Sequence, residues 1–167
     1  MLPKNVLYFG REQSLPARIP LRAGPLRLFF EHGDLRHICY GEREVLRRVY
    51  VAVRDRNWGT PPAEITNLDL IPGERSFQIR FEVVCQQEQL DFRWRAEING
   101  QEDGTITFLI DGQAYMEFWR NRIGFCVLHP IHECAGKACV VERVDGSRVE
   151  GQFPTLIAPP EEISTGT

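Results

Sequence analysis

The chain has 167 residues, of which 43% are hydrophobic and 26% are charged, and it contains 14 glycines and 11 prolines. This composition excludes disordered and collagen-like proteins, and the length suits one domain with a core of its own. The net charge of −3 gives no excess of basic residues for nucleic acid, and the sequence has neither the apolar run of a membrane span nor that of a signal peptide. We therefore expect a cytoplasmic protein that binds neither nucleic acid nor membranes.

The first predicted strands form a meander. Apolar and polar residues alternate through Pro25–Phe30, Leu35–Tyr40 and Glu44–Arg54, with the period of two that half-buried strands show. His32–Asp34 and Gly41–Glu42 separate these runs, and both sequences are typical of turns. We predict three consecutive antiparallel strands in this part of the chain.

The clearest alternation lies in the middle of the chain. Phe77–Cys85 and Leu90–Ile98 each place apolar residues on one face and charged or polar residues on the other. The link Gln86–Gln89 suits a hairpin between them, so opposite charges on the outer faces can pair across the two strands. Trp94 is in phase with the apolar face, and we expect it in the core.

A third strand continues this meander through Ile106–Ile110. Asn99–Gly100 precedes it and Asp111–Gly112 follows it, and both dipeptides are strong turn signals. We therefore predict turns at both dipeptides.

The remaining predicted strands are Ala114–Arg120, Phe118–Leu128, Ala138–Val144 and Ser147–Gln152, with a turn at Asp145–Gly146 between the last two. About ten short strands result, and a single sheet of that size would expose one apolar face. We therefore predict an all-β fold, a two-layer antiparallel β-sandwich of the supersandwich type. Residues 1–158 form the domain, and residues 159–167 have the composition of a linker or frayed tail.

The five cysteines are odd in number and irregular in spacing, which favours free thiols over disulfides. Zinc accepts the side-chain types of four residues near the end of the chain: His129, His132, Cys134 and Cys139. Their spacing matches no standard pair of zinc ligands. We favour a loop whose histidines bond to the backbone and whose cysteines fill gaps, and we expect no metal.

The same segment offers groups for acid–base chemistry. His129, His132 and Glu133 could move protons near neutral pH, while a guanidinium from Arg120 or Arg122 could hold a carboxylate or an oxyanion. Such a set could open a sugar or lactone ring. The simpler interpretation, which we favour, is a group of solvated polar side chains with an arginine paired to an acidic neighbour.

Trp58 is the second notable feature, because it lies in the turn sequence Asn57–Gly59. Its indole could stack on a sugar ring while Arg54 and Asp55 bind hydroxyl groups. Alternatively, Trp58 fills the underside of a long loop and Arg54 pairs with Asp55, which we favour because large aromatic side chains are usually mostly buried.

Several catalytic motifs do not occur in the sequence. It contains no G-x-S-x-G elbow, no P-loop, no dinucleotide-binding glycine pattern and no H-E-x-x-H. This excludes serine hydrolases of the elbow type, nucleotide-binding enzymes and zincins, and we expect no cofactor.

Three segments together resemble the N-terminal region of the D-apionate lactonase family: Val51–Thr60, Arg120–Pro130 with Glu133–Gly136, and Val144–Gly146 leading to Phe153–Pro154. The resemblance implies a β-rich region that precedes a barrel-like middle domain and a C-terminal β domain, in enzymes that act on the lactone of a branched-chain sugar acid. We expect the middle domain to be missing from this chain, and no catalytic residue of the family can be matched to it. The region is also similar to the large sandwiches of sugar mutarotases.

These observations lead to three functional hypotheses. The first is an accessory N-terminal domain of a sugar-lactone hydrolase, which is not catalytic alone. The second is a free-standing carbohydrate-binding module that uses Trp58, and the third is a small sugar-acting enzyme that uses His129, His132 and Glu133. A surface that packs against a following domain would be apolar, so we also expect packing against such a domain or formation of a homodimer.

Overall fold

The structure is a computed structural model that describes residues 3–10, 12 and 15–156. Within these residues it contains two short helices and eleven strands. In chain order they are α1 (Lys4–Phe9), β1 (Ile19–Ala23), β2 (Leu26–Glu31), β3 (Asp34–Tyr40), β4 (Arg43–Asp55), β5 (Ala63–Pro72), β6 (Phe77–Gln87), β7 (Leu90–Gly100), β8 (Ile106–Ala114), β9 (Arg120–Leu128), α2 (Ile131–Cys134), β10 (Ala138–Glu142) and β11 (Arg148–Gln152).

The strands form two main antiparallel sheets and a separate hairpin. Sheet A has the order β1-β2-β3-β4-β9, sheet B has the order β5-β6-β7-β8, and β10 and β11 form a two-stranded sheet. Buried residues from both sheets form one hydrophobic core. The predicted antiparallel β-sandwich is therefore confirmed, although the described residues hold eleven strands where we expected about ten.

The alternation of apolar and polar residues seen in the sequence matches the alternation of buried and exposed residues in sheet B. In β6 every second residue from Phe77 to Cys85 is buried, and β7 buries the matching residues of its own face. Trp94 lies in the core as predicted, with its ring 5.6 Å from that of Phe81. Phe81 is in turn 5.8 Å from Phe30 of sheet A, so aromatic rings connect the two layers.

The cross-strand charge pairs on the outer face of sheet B are also present. Arg80 of β6 and Glu97 of β7 approach to 3.5 Å across the predicted hairpin, and outside that hairpin Arg95 pairs with Asp111 of β8 at 2.7 Å. Asp91 differs from the prediction, because it is only 6% exposed. Both of its carboxylate oxygens accept hydrogen bonds of 2.9 Å from Arg93, and this pairing lowers the pKa of the carboxyl.

Two of the predicted turns are wrong. Asn99–Gly100 lies inside β7 and Asp111–Gly112 lies inside β8, while the chain turns between Gln101 and Thr105. The glycines are needed for close packing rather than for turning. A Cβ atom on Gly100 would lie 2.2 Å from the Phe77 ring, and one on Gly112 would lie 2.5 Å from the Phe92 ring.

The sequence analysis did not predict β1 and β5. Strand β1 lies at the edge of sheet A and contains Pro20, which cannot donate a ladder hydrogen bond. Strand β5 lies at the edge of sheet B, and a register shift between Thr66 and Asp69, with Asn67 at a φ of +52°, breaks its alternation. The predicted strand from Ala114 to Arg120 is also incorrect, because β8 ends at Ala114 and β9 begins at Arg120.

The other predicted strands are present with small shifts of their ends, and the five cysteines are free. The predicted tail, residues 159–167, lies outside the described residues. None of the helices in the described part of the chain has the length and apolar character needed to cross a membrane.

Candidate functional site

The pairing of β4 with β9 brings together residues that are far apart in the sequence. Arg54 lies opposite Arg122 in the ladder, and Asp55 lies opposite Arg120. All four are sequence-predicted site residues, and Trp58 follows in the loop after β4. We call these five residues the arginine–tryptophan corner.

Asp55 holds the loop that carries Trp58. Its carboxylate oxygen Oδ1 accepts hydrogen bonds of 2.8 Å from the backbone N–H groups of Asn57 and Gly59. The backbone of Asp55 also donates to the Gly59 carbonyl and accepts from the Trp58 N–H. The carboxylate is thus used by the loop, and no ion pair between Arg54 and Asp55 is present among the described residues.

Trp58 projects away from the core. It is 61% exposed, so the interpretation of Trp58 as a buried plug is wrong. Its φ of +66° is unusual for a residue with a bulky side chain, and the tight hydrogen bonds of the loop keep it there. The Arg122 guanidinium lies 5.8 Å from the centre of the indole ring, a cation–π distance. The indole is thus exposed to solvent, with the guanidinium of Arg122 over one of its faces.

The corner is locally basic in a protein whose net charge is negative. Arg54, Arg120 and Arg122 have no carboxylate partner in the part of the chain that the structure describes, whereas Arg48 of the same strand β4 is paired with Asp34. Arg122 contacts the Cys126 sulfur at 3.6 Å instead. Unpaired guanidinium groups beside an exposed aromatic ring are suited to a carboxylate that carries a hydroxylated, partly apolar body.

The predicted acid–base residues lie at the other end of β9. Leu128 lies eight positions after Arg120 along an extended strand, which corresponds to about 27 Å. The structure therefore does not bring His129 near Arg120 or Arg122. His129 packs against Phe153 with ring centres 5.1 Å apart, and Glu133 forms an ion pair of 2.9 Å with Arg43.

The candidate zinc ligands are not assembled either. His132 and Cys134 lie on α2, and Cys139 lies on β10 after an intervening turn. Within residues 3–10, 12 and 15–156, no group of three or more histidine, cysteine, aspartate or glutamate side chains is placed to hold a metal ion.

Comparison with known proteins identifies the family. Residues 6–164 match the family described as the N-terminal domain of D-apionate lactonase. The chain belongs to this family. A curated relative, the D-apionate lactonase of Brucella anthropi, is 36% identical over 154 residues, which cover 92% of this chain and 25% of the relative. The chain therefore spans about a quarter of the length of that relative. No solved structure matches it.

The structure also shows polar residues that the sequence analysis missed. Arg48 binds Asp34 at 2.6 Å and stacks over the Tyr50 ring at 4.0 Å. Burial raises the pKa of the Asp34 carboxyl, and burial together with the neighbouring Cys126 raises the pKa of Tyr50. The polar residues within the predicted strand Glu44–Arg54 were the sequence signal that could have pointed to this group.

Proposed function

We propose that this chain is an accessory N-terminal domain of a sugar-lactone hydrolase of the D-apionate lactonase type. We further propose that the catalytic residues lie in the part of the enzyme that the chain does not span. The observation that carries the proposal is the family match over nearly the whole chain, combined with coverage of only a quarter of the relative.

The placement of the predicted reactive groups supports an accessory role. Of the candidate acid–base residues, His132 is exposed, His129 packs against Phe153 and Glu133 is paired with Arg43. The candidate guanidinium partners lie at the opposite end of β9. A catalytic site needs such groups within hydrogen-bond reach of one substrate. The residues of the arginine–tryptophan corner are suited to binding and orienting a substrate. They do not include a nucleophile paired with a base.

The distribution of apolar residues supports packing against another part of a longer enzyme. In the described part of the chain, Ile98 is the last residue of the buried apolar core, and of the later residues Pro130 is also buried. Twenty-one large hydrophobic residues are exposed, and thirteen of them follow Ile98. They include Phe125, Val127, Ile131, Val140 and Val141. Strand β9 is the edge of sheet A, so sheet B covers its apolar face only in part. Large exposed apolar surfaces mark interfaces, so we propose that the following domain covers this one.

Hydrolysis of the lactone of D-apionate tests the proposal. The isolated chain is expected to show no turnover above the spontaneous rate, while the Brucella anthropi relative serves as the positive control. Release of acid at constant pH measures both. Enzyme-like turnover by the isolated chain would contradict the accessory role. Light scattering over a range of concentrations would show whether the apolar face forms a homodimer when no following domain is present.

A carbohydrate-binding module is the second candidate, because Trp58 is open to solvent beside Arg122. In this case Trp58→Ala should weaken sugar binding about tenfold or more, since the stacking surface is lost. Calorimetric titration with sugars and sugar acids measures the change. Tyr40→Ala is the matched control, because Tyr40 is 60% exposed but lies at the far end of β3. Equal binding by both variants and the original chain would exclude Trp58 as the platform.

A further inference from the structure

A gap in sheet A lies beside β4. Strand β3 begins at Asp34 and pairs with β4 only as far as Leu35 opposite Val49. Strand β4 continues to Asp55 with β9 along its other edge. The resulting cavity, which we call the β4 notch, has a volume of about 360 Å³ and is bounded by the β2–β3 turn on one side and by Thr60–Ala63 on the other.

The walls of the β4 notch carry hydrogen-bonding groups without partners. Alternate N–H and C=O groups of β4 between Tyr50 and Arg54 point away from β9, and within the described residues no strand or loop pairs with them. The side chains of Trp94 and Arg48 also line the notch. Arg48 Nε is buried without a hydrogen-bond partner, and the Nε1–H of Trp94 interacts with the Cys85 sulfur, which is a weak acceptor. Trp94 is only 7% exposed, so bulk water does not solvate its N–H. Buried polar groups of this kind are rare unless a ligand or ordered water binds them.

The remaining surface of the notch is apolar on its floor and charged near its rim. Phe81 and Val83 form part of the floor. Arg48 is already neutralised by Asp34 at 2.6 Å, whereas Arg54, which also lines the notch, has no carboxylate partner among the described residues. His32, Thr60 and Ala63 are exposed at the rim. The notch therefore combines an apolar floor, unused hydrogen-bond donors and one uncompensated positive charge.

We infer that the β4 notch binds a compact hydroxylated carboxylic acid, the chemical class of a sugar acid. The carboxylate would bind Arg54, hydroxyl groups would accept from Trp94 and Arg48 and pair with the edge of β4, and the C–H face would rest on Phe81. The volume fits one molecule of monosaccharide size. The choice of a sugar acid rests on the proposed function, whereas the existence of the site rests on the notch itself.

Nuclear magnetic resonance of the whole chain tests this inference. Titration with D-apionate is expected to shift the indole N–H resonance of Trp94, which Trp94→Phe identifies by its loss. Arg54→Ala should weaken the affinity about tenfold, because the charge that holds the carboxylate is removed. Ala63→Phe should abolish binding, since the phenyl group fills the rim at an exposed position. Arg75→Ala is the matched control and should bind as the original chain does, because Arg75 is exposed and lies outside the notch.

Three results would overturn the inference. The first is no shift of the Trp94 resonance at about 10 mM D-apionate. The second is unchanged binding by Ala63→Phe. The third is equal binding of the neutral polyol xylitol, which would contradict the assignment of a carboxylate ligand. Turnover of the lactone by the isolated chain would contradict only the accessory role and would leave this binding test unaffected.

Discussion

Phe81→Ala is expected to lower the free energy of unfolding by about 4 kcal/mol, because it removes the aromatic ring at the centre of the sandwich. Phe81 is 2% exposed and contacts Phe30 of sheet A as well as Trp94 of its own sheet. Neither sheet can close over the resulting cavity without moving the other. The loss therefore includes both the transfer of the ring and the cavity that remains.

Urea unfolding followed by circular dichroism measures this loss. Phe125→Ala is the matched control, since the same residue type is removed from a position that is 44% exposed at the edge of sheet A. The control should lose about 1–2 kcal/mol, because less apolar area leaves water when Phe125 folds. Phe125 also packs on Phe108 of sheet B, with ring centres 5.0 Å apart, so a loss for Phe81→Ala that is no larger than that for Phe125→Ala would show that Phe81 is not at the centre of the core.

Gly24→Ala is expected to cost about 3 kcal/mol, from backbone strain and a steric clash together. Gly24 forms the turn between β1 and β2 with a φ of +50°. A Cβ atom there would lie 2.1 Å from the Glu102 carbonyl oxygen and 2.9 Å from the Gly104 nitrogen. Both are backbone atoms of the β7–β8 turn, so no side-chain rotation can relieve the contact. The Gly24 N–H also donates to the Arg75 carbonyl at 2.8 Å, which fixes the turn against sheet B.

Gly41→Ala separates the two contributions. Gly41 also has a left-handed φ, of +59°, but no atom lies within 4 Å of the position its Cβ would take. This variant should therefore lose only about 1 kcal/mol, the cost of the left-handed backbone alone. Comparison of the thermal midpoints of both variants provides the measurement. Equal losses at the two glycines would mean that the β1–β2 turn does not contact the β7–β8 turn as closely as described.

The fold could be predicted from the sequence wherever a strand has one buried face and one solvated face. Strands β6 and β7 show this clearly, because both are central in sheet B and their alternation is unbroken. The edge strands β1 and β5 escaped prediction because a strand with one neighbour tolerates a proline or a bulge. Gly100 and Gly112 were misread as turn residues, since a glycine needed for close packing of an aromatic ring has the same sequence signal as one in a turn.

The sequence predicted which residues belong to the candidate site, but it did not predict how they are arranged in space. The sequence pointed to Trp58, Arg54, Asp55, Arg120 and Arg122, but it also grouped Arg120 and Arg122 with His129, because they are close along the chain. An extended strand separates its residues by about 3.4 Å per position. The two arginines and His129 therefore lie far apart in the folded chain. The ladder between β4 and β9 instead joined two segments that are more than sixty positions apart.

Local residue pattern by itself determined that this chain forms paired strands around one core, because alternation depends only on the sequence of neighbouring side chains. Tertiary structure alone decided that β4 extends beyond β3, that Arg54 faces Arg122, and that Trp94 and Arg48 line the same cavity. These features depend on strand register and on the relative lengths of strands from distant parts of the chain. They arise only when the two sheets pack, since no short stretch of sequence contains both sides of a contact.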